Sequence, residues 1–165
     1  MSYYRKNCIT FFGKNQLLYN VCIESFVLQS TADLTISPVK SMPGVPEENK
    51  PWYHGSPWQL VTLLSGSTVT QDRRLAEVFS HKPSLVCDWG DGRIQHNGSL
   101  PGFLYAIAEP LQPGDLYPHP LSSMEPGKEW LTRRELRLVL IGPVDITEEE
   151  LITEQEIARL KGEAD

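Results

Sequence analysis

The chain has 165 residues, of which 40% are hydrophobic and 22% charged, with a formal net charge of −6 at pH 7. This length and composition are typical of one folded domain with its own core, and no apolar run approaches the roughly 20 residues that span a bilayer. No apolar signal-peptide core follows the N-terminus, so we expect a soluble, cytoplasmic protein without a membrane partner. The negative charge does not favour a general nucleic-acid-binding function.

The cysteines, prolines and glycines narrow the fold class. Cys8, Cys22 and Cys87 are odd in number and include no Cys-x-x-Cys pair, which argues against a disulfide framework and a zinc site. We interpret them as small apolar residues in strands, and the scattered histidines show no metal-ligand spacing. The 13 prolines and 12 glycines predict many short elements joined by turns, so we expect a β-rich α+β fold.

Residues 1–50 are expected to form a β-rich extension followed by a linker. The run at 8–12 predicts a strand, and 13–15 a hairpin turn. The run at 16–28 is compatible with either a strand or a helix, and this choice stays open. The prolines between 37 and 51 predict a loop that separates the extension from a domain at 51–146.

The domain at 51–146 should contain short strands and few helices. Strands are expected at 52–55, 67–70, 84–89, 103–108, 128–132 and 135–141, and helices at 59–64 and 72–81. The second helix should end before Pro83, because proline disfavours helical geometry in the residue before it. Residues 147–165 are expected to hold an acidic helix at 147–161, with capping-box patterns at Thr147 and Thr153.

The most informative segment is the end of the first of these strands. It reads Trp52-Tyr53-His54-Gly55-Ser56, and Gly66-Ser67-Thr68-Val69-Thr70 follows before the helix at 72–81. The glycine permits close approach of a ligand or a second backbone. A strand ending in His-Gly-Ser, a second strand and then a helix resembles the NAD-binding half of the ADP-ribosyltransferase fold.

This resemblance covers about residues 52–145 and points to the branch of the poly-ADP-ribose polymerases and diphtheria toxin. The chain is also similar in size to rifampin ADP-ribosyltransferase and related bacterial proteins. The resemblance implies an α+β fold in which two small antiparallel sheets pack around an NAD cleft, with short helices at its rim.

The resemblance also implies roles for the residues of the first motif. His54 would hydrogen-bond the adenosine ribose of NAD, and the Gly55 backbone would meet the nicotinamide carboxamide. Ser56 would assist the ribose contact or, as the alternative, serve as a turn hydroxyl.

The second motif and the helix would complete the NAD site. Thr68 stands where this branch has a nicotinamide-stacking tyrosine, and with Thr70 it is similar to the Ser-Thr-Ser motif of the family's arginine branch. Ring stacking would then come from Phe79 or Tyr105. Arg74 is expected to contact the NAD phosphates or, as the alternative, a nucleic-acid substrate. Its neighbour Arg73 points about 100° away on a helix, so only one of the two should face the cleft.

A carboxylate should stand beside the reacting ribose, because the nicotinamide–ribose bond breaks through an oxocarbenium-like state. The family's catalytic glutamate opens a late strand, and Glu129 has this placement after the Pro126-Gly127 turn. Glu135 also precedes an apolar strand and remains the alternative.

Two functions stay open. The first is an NAD-dependent ADP-ribosyltransferase, a glycosyltransferase that uses NAD as a substrate and acts on an unidentified acceptor. The second is a catalytically inactive module of the same fold that binds a nucleotide, a nucleic acid or a protein.

Overall fold

A computed structural model describes residues 7–10, 45–89 and 91–162, with the backbone alone at 7–10 and 160–162. The turn expected at 13–15, the run at 16–28 and most of the proline-rich loop lie outside the described residues. In the part of the chain that is described, no helix combines the length and apolar character needed to cross a membrane.

The described residues form ten strands, two α-helices and one 3-10 helix. The strands are β1 Asn7–Thr10, β2 Tyr53–Ser56, β3 Thr62–Leu63, β4 Thr68–Val69, β5 Leu85–Asp88, β6 Ile94–His96, β7 Gly102–Ile107, β8 Leu116–Pro118, β9 Trp130–Thr132 and β10 Leu136–Val144. The helices are α1 Arg73–Ser80, the 3-10 helix Glu148–Glu150 and α2 Glu154–Gly162. The predicted strands are thus found close to their expected positions. β3, β6 and β8 were not predicted.

The strands pair antiparallel in three sheets, with orders β1-β5-β6, β2-β7-β10-β3 and β4-β9-β8. The predicted α+β class is confirmed, whereas the expected number of two sheets is wrong. The third sheet is built on the pairing of β5 with β6, and β1 adds to it by pairing with β5, with Cys8 opposite Cys87 and Ile9 opposite Val86. A strand from the N-terminal segment therefore completes a sheet of the central segment.

The predicted helix at 72–81 is confirmed as α1. The Asp72 carboxylate caps its first turn by accepting a hydrogen bond from the Leu75 N–H at 3.3 Å, as expected of an N-cap aspartate. The helix ends at Ser80, and Lys82 adopts a left-handed conformation with φ 51° immediately before Pro83. Helix α1 therefore ends before Pro83, as predicted.

The predicted helix at 59–64 is wrong. This segment instead contains β3, the edge strand of the four-stranded sheet, where Thr62 lies opposite Arg137. The Val61 carbonyl accepts a hydrogen bond from the Leu138 N–H at 3.1 Å. Six residues form too few internal bonds to hold a helix by themselves, so pairing with β10 decides the conformation.

The single helix predicted at 147–161 is also wrong, because the structure divides it into the 3-10 helix and α2. Between them Ile152 is 6% exposed and packs against Leu85 and Cys87. Its N–H donates to the His96 carbonyl at 3.0 Å. Burial of this one side chain extends the backbone between two locally helical segments.

Cys87 corrects a further expectation. It is fully buried and disulfide-bonded, rather than a free apolar residue. Disulfides persist chiefly in oxidising compartments, so this bond does not favour the expected cytoplasmic location.

Two glycines allow α1 to lie directly on the four-stranded sheet. A Cβ atom at Gly55 of β2 would stand 1.8 Å from the Ala76 carbonyl oxygen, and one at Gly102 of β7 would stand 1.9 Å from Ser80 Oγ. Real Cβ atoms do not approach other atoms this closely, so only glycine fits at these two crossings. The glycine of the His-Gly-Ser motif therefore seats the helix against the strand.

Candidate active site

A cavity of about 250 Å³ lies between β2, β4, α1 and the start of β9. It brings together six of the residues expected to act in catalysis or NAD binding, namely His54, Gly55, Thr68, Thr70, Phe79 and Glu129. His54 and Glu129 are distant in the chain, and their meeting in one cavity is a product of the fold.

Strand β4 connects the strand that carries His54 with the strand that follows Glu129. Val69 lies opposite Trp130 of β9, which places Glu129 at the entrance of that strand. On the other edge, Tyr53 and Thr70 exchange two backbone hydrogen bonds of 2.8 and 3.0 Å. Because β4 lies between β2 and β9, the residues at its end and the two flanking strands enclose one space.

The His54 ring has a defined hydrogen-bonding state. Its Nδ1 lies 2.7 Å from the Thr68 carbonyl oxygen, which can only accept, so Nδ1 carries the hydrogen. Burial lowers the pKa of His54 from its ordinary value of 6.5, and the bond to the Thr68 carbonyl opposes this shift only in part. The neutral ring therefore keeps a lone pair on Nε2, which can accept a hydrogen bond from a hydroxyl group of a ligand.

Glu129 is a buried carboxylate, 8% exposed. Its Oε2 accepts a hydrogen bond from the Ser122 hydroxyl, whose oxygen in turn accepts from the Met124 N–H at 3.1 Å. Oε1 has no hydrogen-bond partner among the described residues. The loop between β8 and β9 thus holds one carboxylate oxygen and leaves the other for a ligand.

The same loop is tied to the start of α1. Lys128, directly before Glu129, forms an ion pair of 2.9 Å with Asp72, the N-cap of the helix. Both side chains are partly exposed, so the pair contributes little stability by itself. It does connect the carboxylate loop to the helix that carries Phe79.

Of the two aromatic residues expected to stack on nicotinamide, Phe79 lines the cavity and Tyr105 does not. Tyr105 is 1% exposed, and its hydroxyl accepts from the Leu60 N–H and donates to the Trp58 carbonyl. It is a core residue, so this alternative is wrong. Tyr53 lines the cavity as a second aromatic residue. The only sequence signal for it is its position next to His54.

Ser56 is the first expected contact that the structure places elsewhere. It is 5% exposed, and its Oγ accepts a hydrogen bond from the Trp58 N–H at 3.0 Å. It does not line the cavity, and it shapes the turn after β2. The alternative of a turn hydroxyl therefore describes this side chain.

Arg74, which was expected to contact the NAD phosphates, does not line this cavity either. Arg74 is exposed and donates a hydrogen bond to the Gly92 carbonyl, while Arg73 pairs with Glu77 at 2.9 Å. The cation that lines the cavity is Lys82. Lys82 lies between the end of α1 and Pro83, and its positive φ is uncommon for a residue other than glycine, so no sequence pattern marks it as a cavity residue.

The structure also separates the two carboxylate candidates. Glu129 lines the cavity, whereas Glu135 is exposed and lies outside it. The choice between them depends on the β4–β9 pairing, which the sequence does not reveal.

Two histidines should make the folding stability depend on pH. The pKa of His54 is lowered by burial, and that of His96 by burial and then by the nearby His81, with Glu150 opposing. The unfolded chain therefore binds protons more readily, and the stabilisation is complete above pH 6.5 and lost as the pH falls toward the folded pKa values. We expect denaturant titrations to show the free energy of unfolding decreasing below pH 6.5.

The loss of stability caused by protonation of these histidines can be distinguished from the loss caused by protonation of carboxylates. Arg134 lowers the pKa of Asp115 from 3.8, so that contribution is lost only at a more acidic pH. Replacing both His54 and His96 with glutamine should remove most of the slope near pH 6.5. An unchanged slope in the double variant would contradict the assignment.

Within the described ranges, no group of three or more histidine, cysteine or acidic side chains is arranged to hold a metal ion. Comparisons with protein-family models, with curated proteins and with solved structures find no match to this chain.

Proposed function

We propose that the cavity binds the nicotinamide end of NAD, and that the protein transfers ADP-ribose from NAD to an acceptor or hydrolyses NAD. The observation that carries this proposal is the meeting of His54, Gly55 and Glu129 in one cavity. Around the ribose this reaction needs an atom that accepts a hydrogen bond from a ribose hydroxyl, a backbone that the ligand can approach closely, and a buried carboxylate. His54, Gly55 and Glu129 supply these three groups.

The size of the cavity supports binding of part of the dinucleotide. About 250 Å³ is slightly below the roughly 300–1,000 Å³ typical of small-molecule sites, enough for a pyridine ring and part of a sugar. Phe79 and Tyr53 supply aromatic walls for the ring. The remaining nucleotide would extend over the mouth, where the exposed Lys82 supplies positive charge for the phosphates.

The chemistry follows from the placement of the Glu129 carboxylate. The bond between the ribose carbon and the nicotinamide nitrogen breaks, and its electron pair leaves with nicotinamide, which departs as a neutral molecule. Positive charge develops on the ribose, and the carboxylate stabilises it. An acceptor group or water then bonds to the ribose carbon and releases a proton.

The alternative is an inactive module that binds a nucleotide in the same cavity. Thr68 favours it, because a threonine in place of the family's tyrosine removes one stacking surface for nicotinamide. NAD binding without release of nicotinamide would support this alternative.

His54→Ala should weaken NAD binding by about tenfold or more, because it removes an acceptor that is used in the ground state and the transition state alike. The measurement is calorimetric titration of the full chain with NAD. Arg74→Ala is the matched control, since Arg74 is exposed and outside the cavity, and its affinity should equal that of the wild type. Absence of NAD binding by the wild type would overturn the proposed function.

A further inference from the structure

A second cavity, of about 320 Å³, lies on the other side of α1. Ala76 and Phe79 of the helix line the first cavity, whereas Arg73, Glu77 and His81 line the second. Strands β6, β7 and β10, the segment after β10 and the 3-10 helix provide the remaining walls. Its volume is about ten times the roughly 30 Å³ that one water molecule takes up in the liquid, so it can hold an organic molecule.

His96 presents an unpartnered hydrogen-bond donor in this cavity wall. The ring is fully buried, and its Nδ1 accepts from the Gly98 N–H at 3.0 Å. Burial, and then the proximity of His81, lower the pKa of His96, so the neutral ring carries its hydrogen on Nε2. This Nε2 has no hydrogen-bond partner among the described residues. Buried polar groups almost always have a partner, so a ligand that satisfies it must offer an acceptor atom.

His81, which also lines the cavity, offers a hydrogen-bond acceptor beside the His96 donor. Its ring stacks on His96 with the centroids 5.4 Å apart and the planes 6° apart. Its Nδ1 lies 2.7 Å from the Leu100 carbonyl oxygen and must donate to it, which leaves Nε2 as the ring nitrogen that can accept. The two parallel rings therefore offer one donor and one acceptor.

The charges around the cavity exclude an anion as the preferred ligand. Glu77, Asp145 and Glu150 line it, and Arg73 is the one arginine in the lining. That arginine is engaged by Glu77 at 2.9 Å, and Glu150 accepts from the Thr147 N–H at 3.1 Å. The field is therefore negative, and it repels a phosphate or carboxylate that would otherwise satisfy His96.

We propose that the second cavity binds a small neutral polyhydroxyl ligand, such as a sugar ring. A hydroxyl group both accepts and donates, so it can accept from the His96 ring and donate to the His81 ring or to a carboxylate without adding charge. Ile141 in the lining, 43% exposed, provides an apolar surface for the C–H face of the sugar. This site is independent of NAD binding in the first cavity.

The test uses the full chain and three probes: D-ribose, inorganic phosphate and spermidine. The readout is the set of histidine ring nitrogen signals in long-range 1H–15N spectra. D-Ribose should shift the His96 signals saturably. A saturable effect of phosphate or spermidine without one of ribose would overturn the neutral-ligand assignment. Absence of any ribose effect would overturn the site itself.

A variant pair separates a ligand site from a cavity that holds only water. Ile141→Trp fills the cavity from an exposed position, and Val139→Trp places the same side chain on the same strand outside it. Ile141→Trp should weaken ribose binding by at least about tenfold, more than the loss of one hydrogen bond, and Val139→Trp should not. Equal ribose affinity in the two variants would contradict the proposal. Circular dichroism checks that both are folded.

Discussion

Glu129→Gln is expected to lower the rate of nicotinamide release by roughly 10²-fold or more while the Kd for NAD stays nearly unchanged. Positive charge on the ribose develops only as the nicotinamide bond stretches, so the carboxylate acts mainly on the transition state. Glutamine keeps the shape of the side chain and can still accept a hydrogen bond from Ser122. The measurements are calorimetry with NAD and nicotinamide release over hours.

Glu135→Gln is the matched control for this substitution. Glu135 is exposed and lies outside the cavity, so its variant should release nicotinamide at the wild-type rate. A large loss in the Glu135 variant together with normal turnover in the Glu129 variant would reverse the assignment of the carboxylate. Wild-type binding of NAD without release would favour the inactive binding module.

Gly55→Ala is expected to destabilise the fold by about 3 kcal/mol, the upper end of the cost of overpacking. The new Cβ would stand 1.8 Å from the Ala76 carbonyl oxygen and 2.7 Å from the Ser80 nitrogen. Both are backbone atoms of α1, so the whole helix must move away from β2. Urea titration measures the free energy of unfolding.

Gly142→Ala provides the control on strand β10. A Cβ atom there would meet nothing within 4 Å, and Gly142 is not among the glycines with positive φ. Its free energy of unfolding should therefore not decrease. If Gly55→Ala unfolds at the same urea concentration as Gly142→Ala, the close crossing of α1 over β2 is wrong.

Elements with strong local signals were predictable from the sequence. Helix α1 has an aspartate cap at its start and a proline after its end, so its bounds were predicted almost to the residue. Strands such as β7 and β10 carry enough apolar and β-branched residues to be recognised without a partner. The helices predicted at 59–64 and 147–161 were wrong. Pairing with β10 outweighs the weak helical preference of the first segment, and burial of Ile152 outweighs that of the second.

Some residues of the candidate site were predictable from the sequence and others were not. His54 and Gly55 were identified from one short motif, and Phe79 from the helix after the second motif. Lys82 and Tyr53 were missed as cavity residues, since only the three-dimensional arrangement shows which side chains line a common space.

The sequence by itself determined the α+β class, the position of α1 and the motif that holds His54 and Gly55. These depend on local chemistry, in which caps, turns, prolines and periodicity act over a few residues. The tertiary structure alone decided that Glu129 rather than Glu135 lines the cavity with His54, that Arg74 and Ser56 do not line it, and that His81 stacks on His96. Each depends on which strands pair and which backbones touch, and such long-range contacts leave no mark on the residues beside them in the chain.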